Sequence, residues 1–363
     1  MNMFKKIAAL ATAAAVCFGL VGCHPKNEVA LTIGGIDYTS AFYMCALLQA
    51  DGEAKGQIQE AYQEEDEDAD VTDIDYYKEE IEGQKFEDWV KDRALEICRT
   101  YAYVETACDE EGVEISSEDL ETAESYADNY WNAYGYSAYY GANGVSYDTF
   151  KEFFTYSSLM QTYFLSIYGK EGSDPVPEED VKTALSEKFV LADSLTVSLR
   201  DDSGNDLSEE DAAEEKTKLE GYKTRLDNGE DFKTIYEEEN GEQTASTADS
   251  EEEQPQDTLA QVFGNEDTES YASDYYEDIA ALKVGESKII EDEENSQLLL
   301  VLKKDILEDP YYLNNMYDYI LNLLKYDAFE EEMQEKSLEL EFDENKFATN
   351  RFKVKKIKSG TEA

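Results

Sequence analysis

One histidine, His24, occurs in 363 residues. That scarcity excludes Ser-His-Asp and Cys-His nucleophile pairs and His-built zinc sites unless His24 itself serves. It is read as a linker residue, because no rigid element positions it. Cysteine is sparse as well, at five. Cys17 and Cys23 fall near the start, leaving Cys45, Cys98 and Cys108. Cys98 and Cys108 share one predicted helix and lie about 15 Å apart along its axis, beyond disulfide reach. Buried thiols are expected, not a disulfide scaffold. Positive charge is the third shortage: 31 Lys and Arg against 85 Asp and Glu give a formal net charge of −54. So acidic a chain is not expected to bind nucleic acid through a phosphate-neutralising face, and nucleic acid is excluded as a partner. The charge favours solubility and basic partners. Acidic runs such as Glu64–Asp70 and Glu251–Glu253 are read as solvated linkers, with Ca²⁺ binding there left open. No other metal and no cofactor is implied.

What is present begins with Met1–Gly22. Lys5 and Lys6 precede an apolar run, Ile7–Val21, which stops at Leu20-Val21-Gly22-Cys23. The run is too short to span a bilayer and has the three-part pattern of a secretory signal. Its LVGC ending is similar to the lipobox of bacterial lipoproteins, which implies diacylation of Cys23 as the new N-terminus. Two acyl chains anchor stably where one does not. The expectation is a signal peptide over 1–22, a linker over 23–28 and a chain tethered to the extracytoplasmic face of the cell membrane. An ordinary signal or anchor helix is the alternative.

The first half then reads as helical. Val29–Thr39 predicts a hairpin turning at Gly34-Gly35, followed by an apolar helix from Ser40 to about Gln49. The acidic stretch Asp51–Thr72 predicts a surface loop. Phe86, Val90, Ala94, Ile97, Tyr101, Val104 and Cys108 recur at helical spacing, and Gly112 ends the run. Ser116 with Asp119, and Ile115 with Leu120, mark the start of another helix reaching about Tyr134. Gly135–Gly144 predicts a loop. Ser146 then opens a helix with Phe150, Phe153, Phe154, Met160, Phe164 and Ile167 on one broad face, closed by Pro175 and Pro177. A Phe/Tyr stripe at this spacing is ordinarily core. The functional alternative is an apolar cleft for unfolded segments, with Phe150, Phe153, Phe154 and Phe164 as client-binding candidates; exposed aromatic area would reveal it.

The second half carries strand signals. Phe189–Arg200 is a strand candidate, and Asp211–Leu226 an amphipathic helix ending at Asp227-Asn228-Gly229. Ser287–Glu291 and Gln297–Leu302 form a hairpin after a turn at Gly285. The order is strand, helix, short helix, strand, strand. That order, with LDNGEDF (Leu226–Phe232), LKVGES (Leu282–Ser287) and SQLLLVLKKDI (Ser296–Ile306), resembles the parvulin-type prolyl isomerase domain. VALTIGGIDYT (Val29–Thr39), GVSYDTFKEFFTYSSLMQTYF (Gly144–Phe164) and VPEEDVKTALSEKF (Val176–Phe189) resemble the helical chaperone domain of the SurA and PrsA foldases. The resemblance implies an α+β fold: a mainly helical SurA-like chaperone domain at 29–188 with a parvulin-like α+β domain inserted at 189–306. A C-terminal helix at 307–350 completes it. Pro310 opens that helix, whose apolar face (Leu313, Met316, Tyr317, Ile320, Leu323, Leu324, Ala328) cannot be buried alone and should return onto the N-terminal helices. The basic tail, 351–363, suits acidic neighbours, an anionic membrane surface or a frayed terminus.

Rotating an X-Pro amide crosses a barrier of roughly 20 kcal/mol, so a catalyst needs a dry proline pocket and polar groups that favour the twisted amide. By the resemblance, the parvulin His pair falls on Ser194 and, to within one residue, Leu298. The two pocket aromatics fall on Tyr275 and Ala280. The Gly-rich loop is missing, and Glu237–Thr258, rich in Glu, Gln, Ser and Thr, reads as disordered in its place. The implied protein is a membrane-anchored chaperone or foldase for unfolded, newly secreted polypeptides, with a catalytically impaired parvulin-like domain. The alternatives are a weakly active peptidyl-prolyl isomerase and a solute-binding lipoprotein, which would alternate strand and helix through two lobes.

Overall fold

The computed structural model describes residues 28–65, 69–201, 203–241 and 259–359. The signal segment, Cys23, His24, the run at 251–253 and most of 237–258 lie outside them. The chain divides into two compact units: residues up to Phe164 together with Phe329 onward, and Leu165–Ala328.

The first unit opens with an antiparallel hairpin, β1 (Val29–Ile33) and β2 (Ile36–Thr39). Gly34 and Gly35 turn it with φ of 58° and 84°, a pair of left-handed values that side chains resist. Helix α1 (Ser40–Glu65) follows and runs far past the predicted end at Gln49. The predicted surface loop from Asp51 is therefore helix as far as Glu65. Leu47, Ala50, Ala54 and Ile58 recur at three- and four-residue spacing and are all buried, so a narrow apolar stripe continues beneath the acidic surface. A small hairpin, β3 (Glu80–Ile81) and β4 (Gln84–Lys85), leads into α2 (Phe86–Glu111). Gly112, at φ 73°, caps α2 by donating its N–H to Cys108 O. Ser116 Oγ accepts from Asp119 N at 3.0 Å and starts α3 (Ser117–Ala133) as the sequence predicts. Next come α4 (Tyr136–Ala142) and α5 (Tyr147–Tyr168). The sequence predicts a loop where α4 stands. Gly135 and Gly144, at φ 79° and 89°, bracket one short helix whose Tyr140 packs on Phe150 at 4.8 Å.

In the second unit α6 (Glu178–Lys188) feeds β5 (Phe189–Ser198). Ser208 caps α7 (Glu209–Asp227) and Asp231 caps α8 (Phe232–Asn240). Then come β6 (Ala260–Gly264), α9 (Tyr276–Ala280) and the hairpin of β7 (Ser287–Asp292) and β8 (Gln297–Lys304). The sheet order is β6-β5-β8-β7, with every pairing antiparallel. β5 and β8 lie side by side from Leu191↔Lys304 to Ser198↔Gln297. β6 is unforeseen by the sequence pattern: it is a short edge strand whose Phe263 turns inward. One sheet face, with Leu195, Val197, Leu298 and Leu300, packs on Leu219, Tyr222 and Leu226 of α7 and on Phe232 and Ile235 of α8. The other, with Val190, Ala192, Leu299 and Val301, packs on Ile279 of α9.

The expected closing helix comes in two pieces, α10 (Pro310–Asn315) and α11 (Tyr317–Ser337), separated at Met316. The end of α11 belongs to the first unit. There Phe329 is 0% exposed, edge-on to Phe164 at 5.3 Å and near Tyr163 at 6.1 Å. Beside it Glu330 meets Arg93 of α2 at 3.2 Å, and Met333 is buried. Finally β9 (Phe342–Glu344) pairs antiparallel with β1, and α12 (Lys346–Thr349) follows. Within residues 351–359 the basic segment is packed and not frayed: Val354 is buried, and Asn143 exchanges two 3.0 Å hydrogen bonds with the Lys358 backbone. The molecule is an α+β protein, mainly helical, with a sheet-containing unit inserted between the two segments of its helical unit.

Candidate functional site

In the sheet-containing unit, the positions matching a parvulin site come together only in part. Directly paired residues of antiparallel strands point to the same face. Ser194 pairs with Val301, so it lies on the face covered by α9. Leu298 lies on the opposite face, against α7. A slip of one residue inverts a strand's side chains, and the residue that shares Ser194's face is Leu299. Around that face stand Phe263, Tyr275 and Ala280, with the Phe263 and Tyr275 rings 6.4 Å apart.

The polar groups near this face are committed elsewhere. Tyr275 Oη donates to Asp292 Oδ2 at 2.5 Å, and Gln297 Nε2 donates to both oxygens at 2.8 Å. These hydrogen bonds, with those from Asn295, hold the Asp292 carboxyl well below the usual carboxylate range. Burial, and then the hydrogen bond to Asp292, push the Tyr275 phenol up. Lys303 Nζ donates to Ala280 O at 2.7 Å and Leu282 O at 2.8 Å, capping the end of α9, and burial lowers its pKa. The result is an apolar sheet face flanked by groups that hold local structure together. It has no imidazole, since the chain's one histidine lies far outside this unit's sequence.

The helical unit carries the other candidate. Leu48, Asp51, Glu53 and Lys55 of α1, Tyr101 of α2, the α4 tyrosines and Phe150, Phe153 and Phe154 of α5 enclose a cleft of about 950 Å³. That is the upper range for a small-molecule pocket and ample for several residues of an extended peptide. Its aromatic wall is pre-packed. Tyr136 stacks on Tyr140 at 5.5 Å, while Phe154 meets Tyr130 at 5.5 Å and Phe150 at 5.9 Å. Tyr134, at the rim, is 66% exposed. On the other wall Asp51 is buried; its Oδ2 accepts from Lys55 at 2.6 Å and from Tyr139 Oη at 3.4 Å. Burial and then the Asp51 charge push the Tyr139 phenol up, so it stays a neutral donor. Tyr101 backs onto Tyr156, stacked at 5.0 Å, whose hydroxyl donates to Glu105 at 2.5 Å.

No family model and no curated protein matches the chain. Among solved structures it is similar to the foldase protein PrsA from Streptococcus pneumoniae str. Canada MDR_19A. The identity there is 15% and the TM-score 0.36, over 67% of this chain and 82% of that one. It is also similar to PrsA from Bacillus subtilis, at 17% identity and a TM-score of 0.31 over 68% of this chain and 84% of that one.

Of the four client-binding candidates, Phe150, Phe153 and Phe154 line the cleft, with Phe154 the least buried. Phe164 does not; it is sealed against Phe329. Sequence reasoning missed the tyrosines of α4, which stood in a segment read as loop. A signal was available: Tyr136, Tyr139 and Tyr140 recur at the three- and four-residue spacing of one helical face. Among the described residues no group of three or more His, Cys, Asp or Glu is placed to hold a metal ion. No described helix is long and apolar enough to cross a membrane.

Proposed function

We propose that this chain is a lipid-anchored extracytoplasmic chaperone that holds unfolded, newly secreted polypeptides, with its sheet-containing unit a parvulin-like module impaired in catalysis. The observation that carries this reading is the open aromatic cleft of the helical unit. An aromatic wall this large offers apolar contact without base-pairing, metal or nucleophile chemistry, which suits a partner recognised by exposed side chains. The rigid wall limits the entropy lost on capture. The Leu20-Val21-Gly22-Cys23 stretch supports tethering through Cys23, and the apolar face around Ser194 and Leu299 supports loss of isomerase catalysis. One mainly helical unit and one unit with an all-antiparallel sheet do not suit the solute-binding alternative, which needs alternating strand and helix in both lobes.

The test is light scattering from an unfolded secreted protein diluted with the full mature chain. Slower aggregation is expected, and Tyr134→Ser with Phe154→Ala should weaken client binding by about 10-fold, roughly 1.4 kcal/mol for truncating one rim and one wall aromatic together. No slowing, or equal slowing by the variant, would remove the reading. A prolyl-peptide isomerisation assay should return the uncatalysed rate, tens to hundreds of seconds. A catalysed rate would show that the sheet face remains an active site.

A further inference from the structure

Six of the chain's 31 basic residues fall between Lys346 and Lys358, a stretch with no Asp or Glu. In a chain of net charge −54 this is an inverted local composition. The segment is also structured. Phe352 and Ile357 are half-buried against the helical core, Val354 is buried, and Tyr77 Oη donates to Val354 O at 3.4 Å. The apolar residues point inward and the cations outward: Lys346, Arg351, Lys353, Lys355, Lys356 and Lys358 are all exposed. Arg351 pairs with Glu28 at 2.9 Å, and Lys355 lies 3.8 Å from Glu87. Among the described residues Lys346, Lys353, Lys356 and Lys358 make no ion pair that would explain them internally. Phe347 adds an apolar tip, 70% exposed, with the Arg351 guanidinium stacked 4.1 Å from its ring centre.

The position of this strap decides its partner. Glu28 touches Arg351, and Asn345 holds the backbone of Val29 and Ala30 at 3.0 and 2.9 Å. The strap therefore sits where the chain leaves its N-terminal segment. Cys23 is five residues upstream of Glu28, a reach of at most about 18 Å. We propose that the strap docks on the anionic headgroups of the bilayer that holds the acyl chains. It would turn one defined face of an otherwise repelled, acidic protein toward the membrane. The proposal rests on acylation at Cys23. A cationic face with an aromatic tip is the composition that binds at a headgroup boundary, and each Lys or Arg near an anionic surface contributes about five-fold in partition.

The test uses the full mature chain acylated at Cys23, on vesicles of phosphatidylcholine alone or mixed with phosphatidylglycerol. Cys45, Cys98 and Cys108 are buried, so a thiol-reactive fluorophore is directed to Asn350→Cys. A quencher attached to lipid headgroups should dim it on phosphatidylglycerol vesicles only. The effect should vanish near 1 M salt, where the Debye length is about 3 Å, and in the Lys353→Gln, Lys356→Gln, Lys358→Gln variant. Equal quenching on both vesicles, or a triple variant that behaves as wild type, would overturn the proposal. Intact mass tests acylation separately. If Cys23 carries no lipid, the anchor reading falls, and flotation of the unacylated chain decides the strap alone. Binding to phosphatidylglycerol vesicles with a loss on the order of 100-fold in the triple variant supports it, and absence of binding refutes it. Unchanged thermal unfolding of the variant shows that the buried side of the strap is intact.

Discussion

Replacing Phe329 by Ala tests whether the end of α11 holds the helical unit closed. Its ring is 0% exposed and meets Phe164 at 5.3 Å and Tyr163 at 6.1 Å. Deletion of a fully buried Phe side chain costs about 3–5 kcal/mol, transfer and cavity terms together. Against a typical stability of about 5–15 kcal/mol, that is a large share. At roughly 2–4 °C per kcal/mol for a unit of this size, Tm should fall by about 10 °C. Trp89 and Trp131, the chain's two tryptophans, both belong to the helical unit, so their fluorescence in a urea titration reports that unit alone. Leu338→Ala serves as the control: at 67% exposure it should change stability by no more than about 0.5 kcal/mol. A Phe329→Ala loss below about 1 kcal/mol would mean that α11 does not pack there, since no relaxation hides so large a cavity.

In the sheet-containing unit, a Cβ at Gly264 would sit 1.9 Å from Thr268 Oγ1, and Thr268 is 0% exposed. Gly264→Ala should cost about 1–3 kcal/mol by calorimetry, and no loss would contradict this packing. Burial pushes the half-buried Glu105 carboxyl up, only partly offset by the Tyr156 hydroxyl. The unfolded chain then ionises first, so the penalty grows as pH rises past the ordinary value of about 4.5 and is complete above the folded value. Glu105→Gln should therefore raise Tm at pH 7 and give no gain below about pH 4.5; a gain independent of pH would refute this. Burial pushes the Cys108 thiol up to about 12 and those of Cys45 and Cys98 up as well. Iodoacetamide should alkylate all three in urea and spare them in the native protein, and rapid native labelling would disprove their burial.

The sheet was legible because its code is short. β5, β7 and β8 carry apolar side chains dense enough to read as strands, and Gly285, at φ 81°, marks the turn before β7. Parity was harder: Leu298 and Leu299 are chemically identical, and only the pairing of Ser194 with Val301 says which shares its face. Composition misled in α1, where acids hid the buried stripe of Ala50, Ala54 and Ile58. Glycine misled in α4, because Gly135 and Gly144 bound a helix that exists through contact with Phe150. Lys303 was invisible as a cap for α9, since that role depends on two carbonyls brought near by the sheet. The cleft could be suspected from the α5 phenylalanines but not outlined, because its opposite wall is α1, which was expected to have ended already.

The pairing of β1 with β9 has a consequence for a chain delivered from its N-terminus. Leu31 waits for Glu344, more than three hundred residues later, before the three-stranded sheet can close. The four-stranded sheet of the inserted segment pairs entirely between Phe189 and Lys304 and can finish first. Synthesis that stalled before Phe342 would leave Ala30, Leu31 and Ile33 beside a missing neighbour, presenting an open strand edge to any other unpaired chain nearby.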